Sequence, residues 1–503
     1  MQWTSNNSKG TLLPSEIMLH DTLIETCARC HARASRFTDE YIHGQSLLQS
    51  HVPATISTNY YVDGQIKDED YEYGSFLQSK MYSKGVTCIN CHDAHSMNLK
   101  LEGNALCGSC HSPEKFNVPS HTFHLMNTTG AQCVNCHMPA SNYMQIDVRR
   151  DHSIRIPRPD LSQELNTPNA CNKCHTNKSV KWAADQFIKW YGNQLPKQKT
   201  YGELLYAISK MNKESEPSLN ELLYSKGYPS IIRTSAVEQN AVFSTKRIAD
   251  QVQNNLQSND PFLRLNALKA IANFPAETII SSADALLNDP VSSVRFEAML
   301  RLSPFLQQLP EERKVIFEKV LNEYIVIQQG LTHRPEGFLN QGIVFGMTGR
   351  SNEAEAIYLS GIKRFPRFIL FYVNLADLYR SQNREAKAKE LIDNGLQIEP
   401  KNTDLHYALG LWFIRQGAKE RGIDELRQAF IIDPSNSTTT YGYAVALFST
   451  GRQSGAVRIL ENFIDKYGNN ATILDGLISI CQEQKLLQKT NKYVTIRKDV
   501  FGY

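Results

Sequence analysis

The sequence has no apolar run long enough to cross a membrane. A helical span needs about 18 to 20 consecutive apolar residues, and polar or charged side chains interrupt each apolar stretch of this 503-residue chain before that length. The first residues also lack a basic segment followed by an apolar one, which is the pattern of an export signal. We therefore expect no transmembrane segment and a soluble or peripheral product.

An excess of one charge is missing as well. The 54 lysines and arginines nearly balance the 51 aspartates and glutamates, which leaves a formal net charge of +3. Proteins that bind nucleic acid neutralise its phosphates with clustered positive charge. Nucleic acid is therefore not expected among the partners.

Cysteine and histidine are scarce after residue 176. Ten of the 11 cysteines and twelve of the 14 histidines come earlier, and the remainder is rich in Leu, Ala, Glu and Lys. We interpret Cys481 as a buried structural thiol and His406 as a packing or groove-lining residue. Because the chain is also too long for one compact core, we expect a chemically distinct N-terminal unit followed by helical units.

The N-terminal part contains five copies of Cys-x-x-Cys-His. Two thiols at this spacing add to the two vinyl groups of one haem, and the histidine that follows lies beneath the iron. Zinc sites and thioredoxin-like motifs also use Cys-x-x-Cys, but neither requires a histidine after every second cysteine. We therefore predict five covalently bound haem c groups. The cysteine pairs are Cys27/Cys30, Cys88/Cys91, Cys107/Cys110, Cys133/Cys136 and Cys171/Cys174, and the proximal ligands are His31, His92, His111, His137 and His175. Since such attachment takes place outside the cytoplasm, we expect a periplasmic or extracellular location.

Each iron also needs a ligand on its other face. The surplus of histidines favours bis-histidine coordination, which gives low-spin iron and favours electron transfer over chemistry at the metal. Methionines in the same stretch are the alternative ligands. The candidate distal histidines are His43, His51, His95, His121, His124 and His152, with His20 as the weakest because a surface position explains it equally well.

Three of these candidates have informative surroundings. His95 follows His92 by three residues, so it cannot reach the opposite face of the same iron and is expected to bind a neighbouring one. His121 and His124 share one face if their segment is helical, and one of them is expected to be a ligand.

An arginine cluster surrounds His152. Arginine binds carboxylates through two parallel hydrogen bonds, so the cluster suits haem propionates. Attraction of an anionic substrate such as nitrite is the alternative interpretation. The cluster consists of Arg149, Arg150, Arg155 and Arg158.

Two internal periods follow the motifs. An apolar residue, an arginine and an alanine recur every 31 residues around Arg233, Arg264 and Arg295, which is typical of HEAT-like helix pairs, although ordinary amphipathic helices could share the spacing. Pro366, Pro400 and Pro434 are 34 apart, which is tetratricopeptide spacing. Small residues recur where helices must approach: Gly342, Ala376, Gly410 and Ala444, then Ala354, Ala388, Gly422 and Ala456. The array predicts a groove that binds a protein partner.

The segments HGQSLLQSHVP, GNALCGSCH, RRDHSIRIPRPDLS and TPNACNKCH, together with the motifs, resemble one family. It is the multihaem cytochromes c grouped with cytochrome c554, hydroxylamine oxidoreductase and cytochrome c nitrite reductase, in the subgroup that ends in tetratricopeptide repeats. The resemblance implies redox partner proteins and, because members usually have further motifs upstream, a chain shortened at its N-terminus. The nitrite reductases replace one motif histidine by lysine, and no such motif occurs here.

We therefore expect a mainly α protein in which an irregular multihaem module precedes an α-solenoid. Its function is expected to be electron transfer along closely spaced haems, with docking on the repeats; the alternative is a reductase of small nitrogen or sulfur oxyanions. The predicted units are a lead-in (1–24), a pentahaem module (25–192), a linker with helices (193–230), HEAT-like repeats (231–315), a connecting helix (316–334), tetratricopeptide repeats with a cap helix (335–485) and a tail (486–503).

Overall fold

The protein is mainly α-helical in a computed structural model, which describes residues 3–6, 10–14, 20–68, 71–144, 146–195, 198–225, 227–239 and 246–501. The predicted fold class, an irregular module followed by an α-solenoid, is confirmed. No helix in the described part of the chain is both long and apolar enough to span a bilayer.

Short helices and three small hairpins make up the N-terminal module. Each hairpin is a pair of antiparallel strands: β1 (Trp3–Asn6) with β2 (Thr11–Pro14), β3 (Ala34–Arg36) with β4 (His51–Pro53), and β5 (Ala140–Tyr143) with β6 (Asp147–Arg150). The helices are α1 (His20–His31), α2 (Glu72–Phe76), α3 (Cys88–Cys91), α4 (Asn104–Gly108), α5 (Pro113–Phe116), α6 (Pro119–Thr122), α7 (Cys133–His137), α8 (Pro159–Leu165), α9 (Ala170–Cys174) and α10 (Val180–Tyr191).

The middle of this module has almost no core of its own. Among the described residues between Leu77 and Leu165, the buried apolar side chains are those of Ala131 and two prolines, Pro139 and Pro159. Large apolar side chains are instead exposed along the same stretch, namely Met97, Leu99, Leu101, Phe123, Leu125, Met144, Ile146, Val148 and Ile156. A stretch of this kind needs another apolar body to pack on.

Paired helices of the solenoid begin soon after the module. They are α11 (Tyr201–Ser209), α12 (Ser215–Tyr224), α13 (Ser230–Gln239), α14 (Lys246–Leu256), α15 (Pro261–Ala270), α16 (Ala276–Ala285), α17 (Ser292–Leu302) and α18 (Glu311–Gly330). The segment predicted as a linker with helices thus contains a complete helix pair, α11 and α12. The repeated arginines join successive repeats: Arg264 forms an ion pair with Asp289 at 2.7 Å, and Arg295 with Glu323 at 2.7 Å.

The module and the first half of the solenoid share one hydrophobic core. Leu48, Ile56, Tyr60 and Leu77 pack in the same cluster as the buried residues from Leu204 to Val344. Hydrogen bonds reinforce the contact, because the Gln49 side chain donates to the Pro290 carbonyl at 3.0 Å and accepts from the Ser292 amide at 2.9 Å. The solenoid therefore supports the module as well as following it in sequence.

The last part of the chain is a regular array of helix pairs. Its helices are α19 (Pro335–Met347), α20 (Ser351–Arg364), α21 (Leu370–Ser381), α22 (Glu385–Ile398), α23 (Thr403–Arg415), α24 (Lys419–Ile432), α25 (Ser437–Ser449), α26 (Gln453–Tyr467), α27 (Ala471–Glu483) and α28 (Leu487–Phe501). The second helices α20, α22, α24 and α26 begin at Ser351, Glu385, Lys419 and Gln453, which keeps the predicted period of 34 residues.

The predicted end of this array needs correction. The cap helix predicted at the end of the 335–485 unit corresponds to α27, but its Ile473, Leu474 and Leu477 are fully buried beneath a further helix. The predicted tail forms α28, which packs on α27 and buries Tyr493 and Phe501. Sequence inspection missed this helix because its apolar residues are few and widely spaced among polar ones. The helix that closes the end of the array is therefore α28.

Close helix contact makes Gly422 a sensitive position. A Cβ there would lie 2.9 Å from the Gly410 carbonyl oxygen and 2.6 Å from Cγ1 of Ile414. Gly422→Ala gains up to about 1 kcal/mol of helix propensity, whereas overpacking costs about 1 to 3 kcal/mol. We expect a net loss of stability, measured as a lower thermal unfolding midpoint. Gly346→Ala is the control, because nothing lies within 4 Å of its Cβ. An unfolding midpoint raised equally by both substitutions would contradict the packing argument.

Candidate functional site

The five Cys-x-x-Cys-His motifs lie next to one another in chain order. The Cys27 thiol lies near that of Cys88, and the Cys107 thiol near that of Cys133. The Cys91 thiol is close enough to Cys110 to interact with it electrostatically, as is the Cys136 thiol with Cys171 and Cys174. None of these ten described cysteines is paired in a disulfide. The fold therefore arranges the five attachment sites as a series in which each one lies near the next.

Burial raises the pKa of four of these thiols, those of Cys88, Cys91, Cys136 and Cys171. It raises the pKa of Cys88 to about 12 and that of Cys136 to about 11, whereas a hydrogen bond from Cys107 lowers the pKa of Cys133 to about 7. Zinc binds thiolates in groups of four ligands. Among the described residues, no three histidine, cysteine or acidic side chains come together as a metal cluster.

Three motif histidines face a second histidine ring. The centroids of His92 and His152 are 6.5 Å apart, those of His137 and His121 are 6.3 Å apart, and those of His175 and His124 are 6.2 Å apart. Metal–imidazole bonds are about 2 Å long, so two rings that bind opposite faces of one iron have centroids roughly 6 Å apart. All three pairs have the spacing of a bis-histidine site.

Backbone hydrogen bonds hold four of the six rings in these pairs. Nδ1 bonds a backbone carbonyl in each of the four: His92 to Met97 at 3.0 Å, His137 to Arg155 at 2.8 Å, His152 to Arg150 at 2.9 Å and His124 to Thr122 at 2.6 Å. Metal-binding histidines characteristically donate their other N–H to such a partner, which sets the tautomer and orients the ring. The bond at Nδ1 makes Nε2 the nitrogen that would bind a metal.

The two histidines of the solenoid differ in this respect. His406 uses Nδ1 with Glu425 at 2.7 Å and Nε2 with the Pro400 carbonyl at 3.0 Å. His333 likewise engages both nitrogens, with the Gly330 carbonyl and with Arg334. Neither leaves a nitrogen for a metal, which agrees with the interpretation of His406 as a packing residue.

The remaining distal candidates have no facing motif ring among the described residues. His95 lies in an exposed turn that Asp93 stabilises by accepting from the His95 and Ser96 amides. His43 contacts Tyr41, and His51 is buried with Nδ1 2.8 Å from the Ser50 hydroxyl. His20 begins α1, and its side chain lies outside the described part. These four stay candidates for the irons above His31 and His111.

The arginine cluster near His152 already has protein partners. Arg155 is 3.6 Å from Asp63 and 3.7 Å from Asp151, and Arg158 binds Asp160 at 2.8 Å. Arg150 donates to the Met138 carbonyl and the Asn135 side chain. Arg149 is more exposed than Arg155 and Arg158 and reaches Asp147 and Glu72. Its exposure leaves room for a further contact with a propionate.

Sequence reasoning missed Glu72. This carboxylate lies 3.1 Å from Nδ1 of His31, although 41 residues separate them. Its pKa is lowered, because the hydrogen bond from His31 and the nearby His152 outweigh the rise that burial causes. No local pattern marks a carboxylate that meets its partner only through tertiary folding.

The residues present fit a haem. The described part of the module buries few apolar side chains between Leu77 and Leu165, exposes large apolar side chains there, and pairs imidazoles at the spacing of two axial ligands. Aromatic rings lie beside the fifth motif. The ring centroids of Trp182 and His175 are 4.9 Å apart, and Trp190 stacks on Phe123 at a centroid distance of 4.5 Å.

Comparison with known proteins supports this assignment for part of the module. Residues 81–116, which include the second and third motifs, match the family model described as a doubled CXXCH motif. The doubled motif indicates covalently bound haem c and supports a multihaem cytochrome c. No curated protein matches the chain.

Solved structures resemble the helical part only loosely. A structure titled MamA protein has a TM-score of 0.28 at 16% identity and covers 33% of this chain and 90% of its own. YrrB, titled a TPR protein with an unusual peptide-binding site, has a TM-score of 0.27 at 14% identity and covers 34% and 87%. PilF of Pseudomonas aeruginosa has a TM-score of 0.30 at 15% identity and covers 40% and 90%.

Proposed function

We propose that the protein is an electron-transfer cytochrome with five haem c groups in a series, held by its solenoid against partner proteins. The observation that carries the proposal is the set of three facing histidine pairs at 6.2 to 6.5 Å. Haem c supplies a one-electron iron couple. Two strong nitrogen ligands on one iron leave no position for a substrate, so such sites favour electron transfer.

The chain's own residues have three tasks in this proposal. The ten motif cysteines attach the groups, and His31, His92, His111, His137 and His175 ligate them from the proximal side. His152, His121 and His124 serve as distal ligands opposite His92, His137 and His175, and the backbone carbonyls that bond Nδ1 hold these rings in place. Burial also lowers the pKa of His121 and His152, which keeps them in the neutral form that binds metal.

The series of attachment sites supports transfer along the chain. Thiols of neighbouring motifs lie close enough to interact electrostatically from Cys27 to Cys174, which places each site near the next. We further propose a periplasmic or extracellular location, where thioether attachment takes place. Paired helices of the last array supply the docking surface for a redox partner protein.

The test is to isolate the protein from a host that attaches haem c. We expect an intact mass with five haem additions, a fully low-spin optical and electron paramagnetic resonance spectrum, and five one-electron components in a potentiometric titration. Cyanide and nitrite should leave the spectrum of the isolated protein unchanged. A high-spin component that binds nitrite would contradict the proposal and favour the alternative reductase.

A further inference from the structure

The first attachment site differs from its neighbours in what holds its histidine. Nδ1 of His31 donates to Oε2 of Glu72 at 3.1 Å, since a carboxylate can only accept. At two other motifs the Nδ1 partner is a neutral backbone carbonyl, that of Met97 for His92 and that of Arg155 for His137. A hydrogen bond to an ionised acceptor is roughly twice as strong as one between neutral groups.

Glu72 is held in place from two sides. Glu72 is the first residue of α2. Tyr73 of this helix and Leu77 directly after it pack in the core that the module shares with the solenoid. On the other side the Arg149 guanidinium is 3.8 Å from Oε1 of Glu72 and lies 4.1 Å over the Tyr143 ring. The carboxylate is therefore oriented by protein contacts that do not depend on His31.

We propose that Glu72 is a positioning residue that makes the haem attached at Cys27 and Cys30 harder to reduce than the haems whose histidines bond to carbonyls. The inference rests on the proposed function, because His31 must ligate iron. A carboxylate acceptor raises the basicity of a histidine ligand, and a more basic ligand favours oxidised iron over reduced iron. Since α1, which carries Cys27, packs beside α3, which carries Cys88, the difference in potential would direct electrons from the first site to the second.

The test is a potentiometric titration of the haem-loaded full-length chain and of Glu72→Gln. The amide keeps the size of the side chain but removes the charge. One of the five haem components should shift to a higher reduction potential. At a given applied potential its ratio of reduced to oxidised haem should change at least tenfold, which corresponds to a shift of about 59 mV for one electron. The other components should stay in place.

Asp147→Asn is the matched control, because Asp147 also pairs with Arg149 at 2.8 Å but makes no contact with His31 in the described structure. Its titration should superimpose on that of the unchanged protein. Glu72→Asp, a carboxylate one methylene shorter, should shift the same component in the same direction by less, and it decides the matter if Glu72→Gln loses haem.

Haem content separates the two hypotheses. If the unchanged protein lacks the haems or their low-spin spectrum, the proposed function and this inference both fail. If the haems are present and neither Glu72 variant moves a component, the role of Glu72 alone is wrong. A shift of equal size in Asp147→Asn would also overturn it, because the effect would then follow general charge near Arg149.

Discussion

A chain whose ten motif cysteines are changed to serine is expected to lose the ordered structure of residues 88–157. Serine forms no thioether, so no haem would be retained. Fixing the backbone costs about 1 to 2 kcal/mol per residue, and burying one large apolar side chain returns about 1.5 to 3 kcal/mol. Between Leu77 and Leu165 the described residues bury only Ala131, Pro139 and Pro159 as apolar side chains. Without the porphyrins this stretch buries too little apolar surface to offset its entropy.

The last helical array should survive the same substitutions. Its two hydrophobic clusters are built from its own residues between Ala354 and Phe501, with Met211 as one outside contact. Residues 47–77 should lose only part of their ordered structure, because Leu48, Ile56 and Tyr60 pack on the solenoid core and need no haem for that contact. The expected loss is therefore graded along the chain.

Hydrogen exchange with mass spectrometry measures this pattern directly. Peptides from residues 88–157 should exchange at nearly unfolded rates in the ten-serine chain and slowly in the haem-loaded protein. Peptides from residues 335–501 should be equally protected in both. Cys481→Ser is the control for the substitution itself, because this buried thiol of α27 lies outside the motifs and should leave haem content unchanged. Equal protection of residues 88–157 with and without haem would show that the module has another source of stability.

The features that sequence reasoning reached are those that depend on local chemistry. Cysteine spacing within a motif is set by the porphyrin, and the period of 34 is set by the helix pair, so both can be counted along the chain. The first helical residues Ser351 and Glu385 stand at the predicted period for the same reason. The terminal helix α28 was missed because its buried residues, such as Tyr493 and Phe501, are too sparse to give an amphipathic pattern.

Pairings across the module were beyond that reasoning. One of His121 and His124 was expected to be a ligand, on the assumption that they share a helical face. In the structure α6 ends at Thr122 and Phe123 adopts a positive φ of 53°, so the two histidines diverge. His121 then faces His137 and His124 faces His175. Loop conformation decides such pairs, as it decides the meeting of Glu72 and His31.

Removing one distal histidine is expected to open one iron. In His121→Ala the ring opposite His137 is lost, and no other described histidine replaces it at that spacing. We expect part of the spectrum to become high-spin and one equivalent of cyanide to bind per chain, because an alanine methyl group cannot ligate iron. Optical titration and electron paramagnetic resonance measure both changes.

His406→Ala is the matched control, because it removes the same ring from a position where both nitrogens bond protein atoms. It should bind no cyanide and leave the spectrum unchanged, although losing the contact with Glu425 should lower the stability of the array. His124→Ala is the second test variant. It is expected to produce the same high-spin component and cyanide binding at the iron above His175. If His121→Ala and His124→Ala both stay fully low-spin, the facing rings are not ligands, and His43, His51, His95 and the methionines become the sources to test. If only one of these two variants binds cyanide, then only the histidine pair that this variant disrupts ligates an iron from both sides.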